Sequence, residues 1–231
     1  MSGSTDFARK RRAMALTGRA GLLISAAGVV AALSGGISLA GVVPSSWEVA
    51  SEFNDTTNPS GVWSYGYKTS LNGSFTLYTT NYSRNSGQMY GWGALTGEVT
   101  HNIYPYIVTD SGSDTIVWPA HALDFVPGTS CEYAVLRFTA PKTGKYRISG
   151  AFYGLDNDTT GTTTDVEILV NNGSPVFTGN IDVGNGSPKA PFTSLNVVLK
   201  KNNTLDFQTG CGSNGTYLYD HTGLNAVIEQ K

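Results

Sequence analysis

The stretch Glu132-Tyr133-Ala134-Val135-Leu136-Arg137-Phe138-Thr139-Ala140-Pro141-Lys142-Thr143-Gly144-Lys145-Tyr146-Arg147-Ile148-Ser149-Gly150-Ala151-Phe152-Tyr153 decides the fold. Its first eight residues form a β-rich run that Ala140-Pro141 stops and Lys142-Thr143-Gly144 turns. The return run places Tyr146, Ile148 and Phe152 on one face, the period of two expected of a half-buried strand. Two strands of this kind joined by a short turn make a hairpin.

Outward from this hairpin the pattern repeats. Asp165 to Val170 reads as a strand, and Asn171-Asn172-Gly173 as a turn whose residues tolerate positive φ; Val176-Phe177 returns. Leu195 to Leu199, Leu205 to Phe207 and Ala226 to Ile228 follow as further strands. Upstream, Gly61 to Tyr67, Phe75 to Tyr82, Met89 to Trp92, Ile103 to Val108 and Ile116 to Trp118 are aromatic runs divided by polar loops. No stretch after Trp47 has helical period and length. Short strands at this spacing predict an all-β, jelly-roll-like antiparallel sandwich, with residues 41–231 as a single domain.

The first 40 residues differ in kind. Arg9 to Arg12 form a basic cluster, Ala20 to Leu33 is uncharged and apolar, and Ser38-Leu39-Ala40 offers small residues at a cleavage site. That order is expected of a secretory signal peptide over residues 1–40, with an uncleaved anchor helix as the alternative. The chain is thus expected to be exported, to the cell surface, the extracellular space or the periplasm, with no membrane attachment once the signal is cut. Only 14% of residues are charged, against roughly 25% in soluble proteins generally. Five of the basic residues precede residue 20, so the remainder is acidic and lacks the basic stripe that nucleic acid requires.

Cys131 and Cys211 are the only cysteines. In an oxidising compartment they are expected to pair and close a long loop, the alternative being two unpaired thiols. Gly-x-Ser-x-Gly, His-Glu-x-x-His and the phosphate-binding Gly-x-x-x-x-Gly-Lys pattern do not occur. His101, His121 and His221 stand apart in the sequence, each read as an ordinary surface or hydrogen-bonded residue. The expectation is a non-enzymatic protein.

Two places suggest a site. Asp156-Asn157-Asp158-Thr159-Thr160-Gly161, with Glu167 beyond, has the spacing of a calcium loop. Its flanks read as strands and Thr163 fills the usual apolar position, which rules out an EF-hand. A strand-to-strand loop holding calcium through Asp156, Asp158 and Asp165 remains, against a plain solvated turn; the cation would be structural and optional, and Glu167 is expected on an exposed strand face. The second place is aromatic: Trp63, Tyr65, Tyr67, Tyr90 and Trp92 lie close in sequence, with Trp63, Tyr65 and Tyr67 on one strand face. Such rings either fill the core or stack on the C–H faces of a sugar.

Asn58-Pro59-Ser60-Gly61-Val62-Trp63-Ser64-Tyr65-Gly66-Tyr67, Glu132 to Pro141, and Tyr219-Asp220-His221-Thr222-Gly223-Leu224 resemble segments of bacterial exported proteins, many of which bear the PEP-CTERM sorting signal. The chain departs from that group in ending at Glu229-Gln230-Lys231 without a sorting tail, and in having Val126-Pro127-Gly128 where the group often has His-Pro-Gly. The resemblance implies an exported β protein without C-terminal anchoring, and no reaction. More loosely, the order of strand, Asn-Gly hairpin and closing strand is similar to that of jelly-roll carbohydrate-binding modules. The expected function is binding of a carbohydrate or extracellular matrix component. A structural or adhesive surface protein and a secreted glycan-active hydrolase are the alternatives.

Overall fold

The computed structural model describes residues 45–84, 87–102, 106–110, 115–157 and 161–231. The expected signal or anchor segment therefore lies outside the described residues, as does Asp158. The described strands are β1 (Ser46–Glu48), β2 (Trp63–Lys68), β3 (Thr76–Leu77), β4 (Asn81–Arg84), β5 (Met89–Ala94), β6 (Gly97–Asn102), β7 (Tyr106–Asp110) and β8 (Thr115–Pro119). They continue as β9 (Leu123–Pro127), β10 (Tyr133–Thr139), β11 (Gly144–Gly154), β12 (Thr163–Val170), β13 (Pro175–Asp182), β14 (Lys189–Leu199), β15 (Thr204–Gly210) and β16 (Thr222–Gln230).

One sheet runs β14-β11-β16-β9-β6-β5-β4, with β1 also on β16; the other runs β13-β12-β15-β10-β2-β3. Taken alone, β9 to β16 divide as β14-β11-β16-β9 and β13-β12-β15-β10, which is the strand order of a jelly roll. The preceding strands widen it, adding β6-β5-β4 beyond β9 and β2-β3 beyond β10. Every pairing among the named strands is antiparallel. Asn171 and Asn172 take φ of 51° and 58° in the turn between β12 and β13, as that two-residue hairpin requires.

Alternation sends one row of each strand inward. Tyr146, Ile148 and Phe152 of β11 meet Leu136 and Phe138 of β10, Val166 and Ile168 of β12 and Phe207 of β15 in one core. The β2 alternation is as read from the sequence, but its aromatic face is the core face: Trp63 and Tyr65 are buried, as is Trp92 of β5. These three rings present no face to a sugar.

The opposite face of the β10-containing sheet carries a buried charge network. Asp206 accepts two bonds from Arg137, at 2.7 and 2.8 Å, and pairs with Lys68 Nζ at 2.6 Å. Phe75 covers the Arg137 guanidinium 4.0 Å from its ring centre. Glu167, expected on an exposed face, is buried here beside Gln208. Its alternation was legible from the sequence; the loop between β2 and β3 that covers this face was not.

Cys131 and Cys211 form a disulfide, with Cα atoms 5.4 Å apart, just past the point where Ala134 pairs with Thr209. It closes a loop of 80 residues. Replacing both cysteines by serine is expected to cost about 4 kcal/mol in chemical denaturation, since it frees that loop in the unfolded chain. A loss under about 1 kcal/mol would mean that the native contacts alone hold this junction.

Candidate functional site

Strand β16 lends one edge to two partners in succession. Thr222 to Leu224 pair with β9, and Val227 to Glu229 pair with β1. A cleft of about 920 Å³ is lined by Leu224 and Asn225, where the pairing passes from one partner to the other. Volumes of this order are typical of small-molecule sites. Ala50, Ser51 and Phe53 from the segment after β1, and Pro119, Ala120 and His121 from the end of β8 and the β8–β9 turn, are among the residues that line it. Tyr153, Asn157 and Lys189 also line it.

A row of rings joins the core to this cleft. Tyr65 packs on Phe53 with centroids 4.6 Å apart, Phe53 stacks on His101 at 5.4 Å, and His101 stacks on His121 at 5.9 Å. The first ring is in the core and the last is exposed. His121 holds φ of 55°, a rare angle for a side chain of its size, in the turn between β8 and β9. Burial, and then the neighbouring His121, push the His101 imidazole below its usual range, so it stays neutral. Its Nε2 is buried without a hydrogen-bond partner. The structure thus unites two histidines that are far apart in sequence, which no spacing rule announced.

The aromatic residues expected to bind ligand act instead as posts. Trp63 Nε1 donates to Glu52 at 3.1 Å, Trp92 Nε1 donates to the Asn54 carbonyl at 2.8 Å, and the Tyr65 hydroxyl accepts the Asn54 amide at 2.9 Å. All three grip the residues on either side of Phe53. Tyr67 stacks on Tyr78 at 5.7 Å, away from the cleft. Tyr90 lines a cavity of about 150 Å³ with Asp55, separated from the main cleft by Phe53 and His101, which line both.

Strand β8, which leads to His121, contributes Ile116 and Trp118 to a second small core with Met89 and Leu155. Asp124 anchors it: Oδ2 accepts Trp118 Nε1 at 2.9 Å and lies 2.7 Å from His221 Nδ1. Burial, reinforced by Asp124, pushes the nearby Glu98 carboxyl up to about 8. Neither Glu98 nor Asp124 lines the cleft. The carboxylate that does, Glu48, accepts the amides of Ala50 and Ser51.

Of the expected calcium trio, Asp158 lies outside the described residues, and Asp156 and Asp165 bond to different segments. Asp165 accepts the Gly212 amide at 2.6 Å and the Tyr133 hydroxyl at 2.9 Å, which ties β12 to the segment beside the disulfide. Asp156 belongs to a different neighbourhood, bonded to the His221 amide. Among the described residues, no three Asp, Glu, His or Cys side chains converge as a metal cluster.

No family model and no curated protein matches the chain, so the resemblance to PEP-CTERM-bearing proteins has no support from either. Among solved structures it is similar to the CBM51 of Clostridium perfringens GH95, solved with methyl-galactose: 13% identity, 66% of this chain and 94% of that one, TM-score 0.35. It is also similar to TmCBM61, solved with β-1,4-galactotriose, at 13% identity, 56% and 90% coverage and TM-score 0.32. A family 35 carbohydrate binding module from Clostridium thermocellum gives 15%, 62%, 98% and 0.30. Superpositions this loose carry no argument about the site.

Glu98 has a testable consequence. Its carboxyl is held well above the ordinary value in the fold, so the folded state binds the extra proton. That contribution is complete below about pH 4.5 and is lost as pH rises toward 8. Thermal melts between pH 4.5 and 8.5 are expected to show Glu98→Gln losing less stability with rising pH than the wild type. Parallel curves would show that Glu98 ionises in the fold as it does in water.

Proposed function

We propose that this chain is an exported, non-enzymatic protein that binds carbohydrate, free or displayed on an extracellular matrix, in the cleft between β1 and β9. The observation that carries this reading is the ring row Phe53–His101–His121 lining a cleft that Asn157, Asn225 and Lys189 also line. Sugars offer an apolar C–H face and a rim of hydroxyls. A wall of flat rings takes the first, and Asn157, Asn225 and Lys189 are suited to the second.

The non-enzymatic part rests on the carboxylates. Glycoside cleavage needs two carboxyl groups placed across the bond. Here Glu98 and Asp124 are sealed behind the wall, and Glu48 is occupied by backbone amides. Export is supported by the Cys131–Cys211 disulfide, a bond characteristic of oxidising compartments, and by the basic-then-apolar order of residues 1–40.

The purified chain is expected to bind at least one member of a panel of soluble polysaccharides in saturable fashion, by isothermal titration calorimetry. His121→Ala and Phe53→Ala should each weaken binding about tenfold or more, a loss of roughly 1.4 kcal/mol. Absence of binding across the panel, or binding indifferent to both substitutions in folded protein, would overturn the assignment.

A further inference from the structure

Lys68 ends β2 with its side chain completely buried, on the covered face of the β10-containing sheet. Nζ lies 2.6 Å from Asp206 Oδ2 and donates to Asn172 Oδ1 at 2.9 Å and to Gln208 Oε1 at 3.0 Å. Asp206 already holds the Arg137 guanidinium. Two cations thus share one carboxylate in a site withdrawn from water, which leaves an excess of positive charge that solvent does not screen. Glu167, buried on the same face, does not offset it, since burial and then Asp165 push its carboxyl up to about 8. Burial also pushes the Lys68 ammonium below its usual range. A lysine that is desolvated and shares its counter-charge with a second cation is an activated nucleophile.

Asn172 is held against that amine in one orientation. Its Nδ2 donates to the Asn72 and Gly73 carbonyls at 2.5 and 3.1 Å, and Asn72 Nδ2 donates in return to the Asn172 and Gly173 carbonyls at 3.1 and 2.7 Å. This reciprocal clasp leaves the Asn172 side-chain carbonyl as the end that meets Lys68. Asp206 is the poorer target, because a carboxylate ionised against Arg137 repels a lone pair.

We propose that the folded chain joins Lys68 to Asn172 in an intramolecular isopeptide bond. Lys68 Nζ passes a proton to Asp206 Oδ2, and its lone pair forms a bond to Asn172 Cγ. The Cγ–Nδ2 bond breaks, and Nδ2 leaves as ammonium, taking one proton from Nζ and the one held by Asp206. Nothing is oxidised or reduced, and the step needs no co-reactant. Folding supplies the proximity that a reaction between two free groups lacks. The excess charge departs with the ammonium, and Arg137 and Asp206 remain as a matched pair. The bond ties β2 to the β12–β13 turn across β10 and β15, between residues 104 apart in sequence. Unlike the Cys131–Cys211 disulfide beside the same sheet, it resists reduction. It needs no glycan and stands apart from the carbohydrate reading.

The experiment incubates the full folded chain at neutral pH, then reduces, denatures and weighs it by mass spectrometry. A chain lighter than its sequence by one ammonia is expected, and proteolysis should release a branched peptide that joins Lys68 to Asn172. The Lys68→Arg variant should keep its full mass. Succinimide formation at Asn172-Gly173 or Asn72-Gly73 also expels ammonia but leaves linear peptides, and linear peptides alone would overturn the proposal. So would an unreduced sequence mass, or the loss of one water, which would put the bond on Asp206. Should Lys68→Arg fail to fold, the wild-type peptide map decides, because it is read on denatured protein.

Discussion

The Asp124 carboxylate holds together three segments that the chain delivers separately. Its own strand β9 is the inner neighbour of β16, Trp118 arrives from the β7–β8 hairpin, and His221 comes from the segment that enters β16. The hairpin forms its own two-stranded sheet and meets the sandwich through one bridge, Ile116 to Asp156, with the Val117 amide on the Leu155 carbonyl and the Asn157 amide on that of Thr115, and through a small apolar cluster. The Asp124 carboxylate adds a second directional tie at Trp118, stronger and more particular about geometry than apolar contact. Glu98 accommodates this by staying protonated at neutral pH, which avoids two like charges in one dry space. The position of His121, two residues beyond the end of β8, follows from that anchor.

The same economy governs the other wall. Phe53 sits in a segment without regular structure, where side chains ordinarily wander. Trp63, Tyr65 and Trp92 keep their ring faces in the core and turn their polar atoms on Glu52 and Asn54. Each aromatic residue therefore contributes twice, by apolar burial and by one bond to the loop. The ring row is thus fixed from the core side at both its ends. A preformed site of this kind spends little ordering energy when it is filled.

Much of the fold was legible because its strands alternate cleanly. Strands β10 and β11, the Asn-Asn-Gly turn after β12 and the disulfide stand where the sequence places them, but the expected hairpin of β10 and β11 does not form. The turn at Lys142-Thr143-Gly144 crosses from one sheet to the other, and β10 pairs with β15 and β2 while β11 pairs with β14 and β16. Strands β6 and β9 escaped because both their faces are covered. Glu98, Thr100 and Asn102 of β6, and Asp124 of β9, are buried polar residues, so the period-of-two pattern is filled in with groups that usually mark a surface. Pro127 at the end of β9 further disguised it. The site was illegible for a related reason. Its ring row draws on four segments, residues 53, 65, 101 and 121, and no local spacing records a contact made only by sheet order.

The aromatic residues most conspicuous in the sequence are thus the ones that support the site, and the less conspicuous ones form it. This inversion follows from size. A tryptophan buries more apolar area than any other side chain, and in a sandwich whose inner space must be filled by two opposed sheets, the largest rings go where the gap is widest. What remains for the cleft is Phe53, Tyr153 and two histidines, smaller rings whose edges carry polar atoms or abut them. Removing Trp63 or Trp92 would collapse the loop that carries Phe53, and a loss of binding so caused would say nothing about contact with ligand. His121 is different: its ring is exposed, its removal leaves the core intact, and its effect on binding can be read directly.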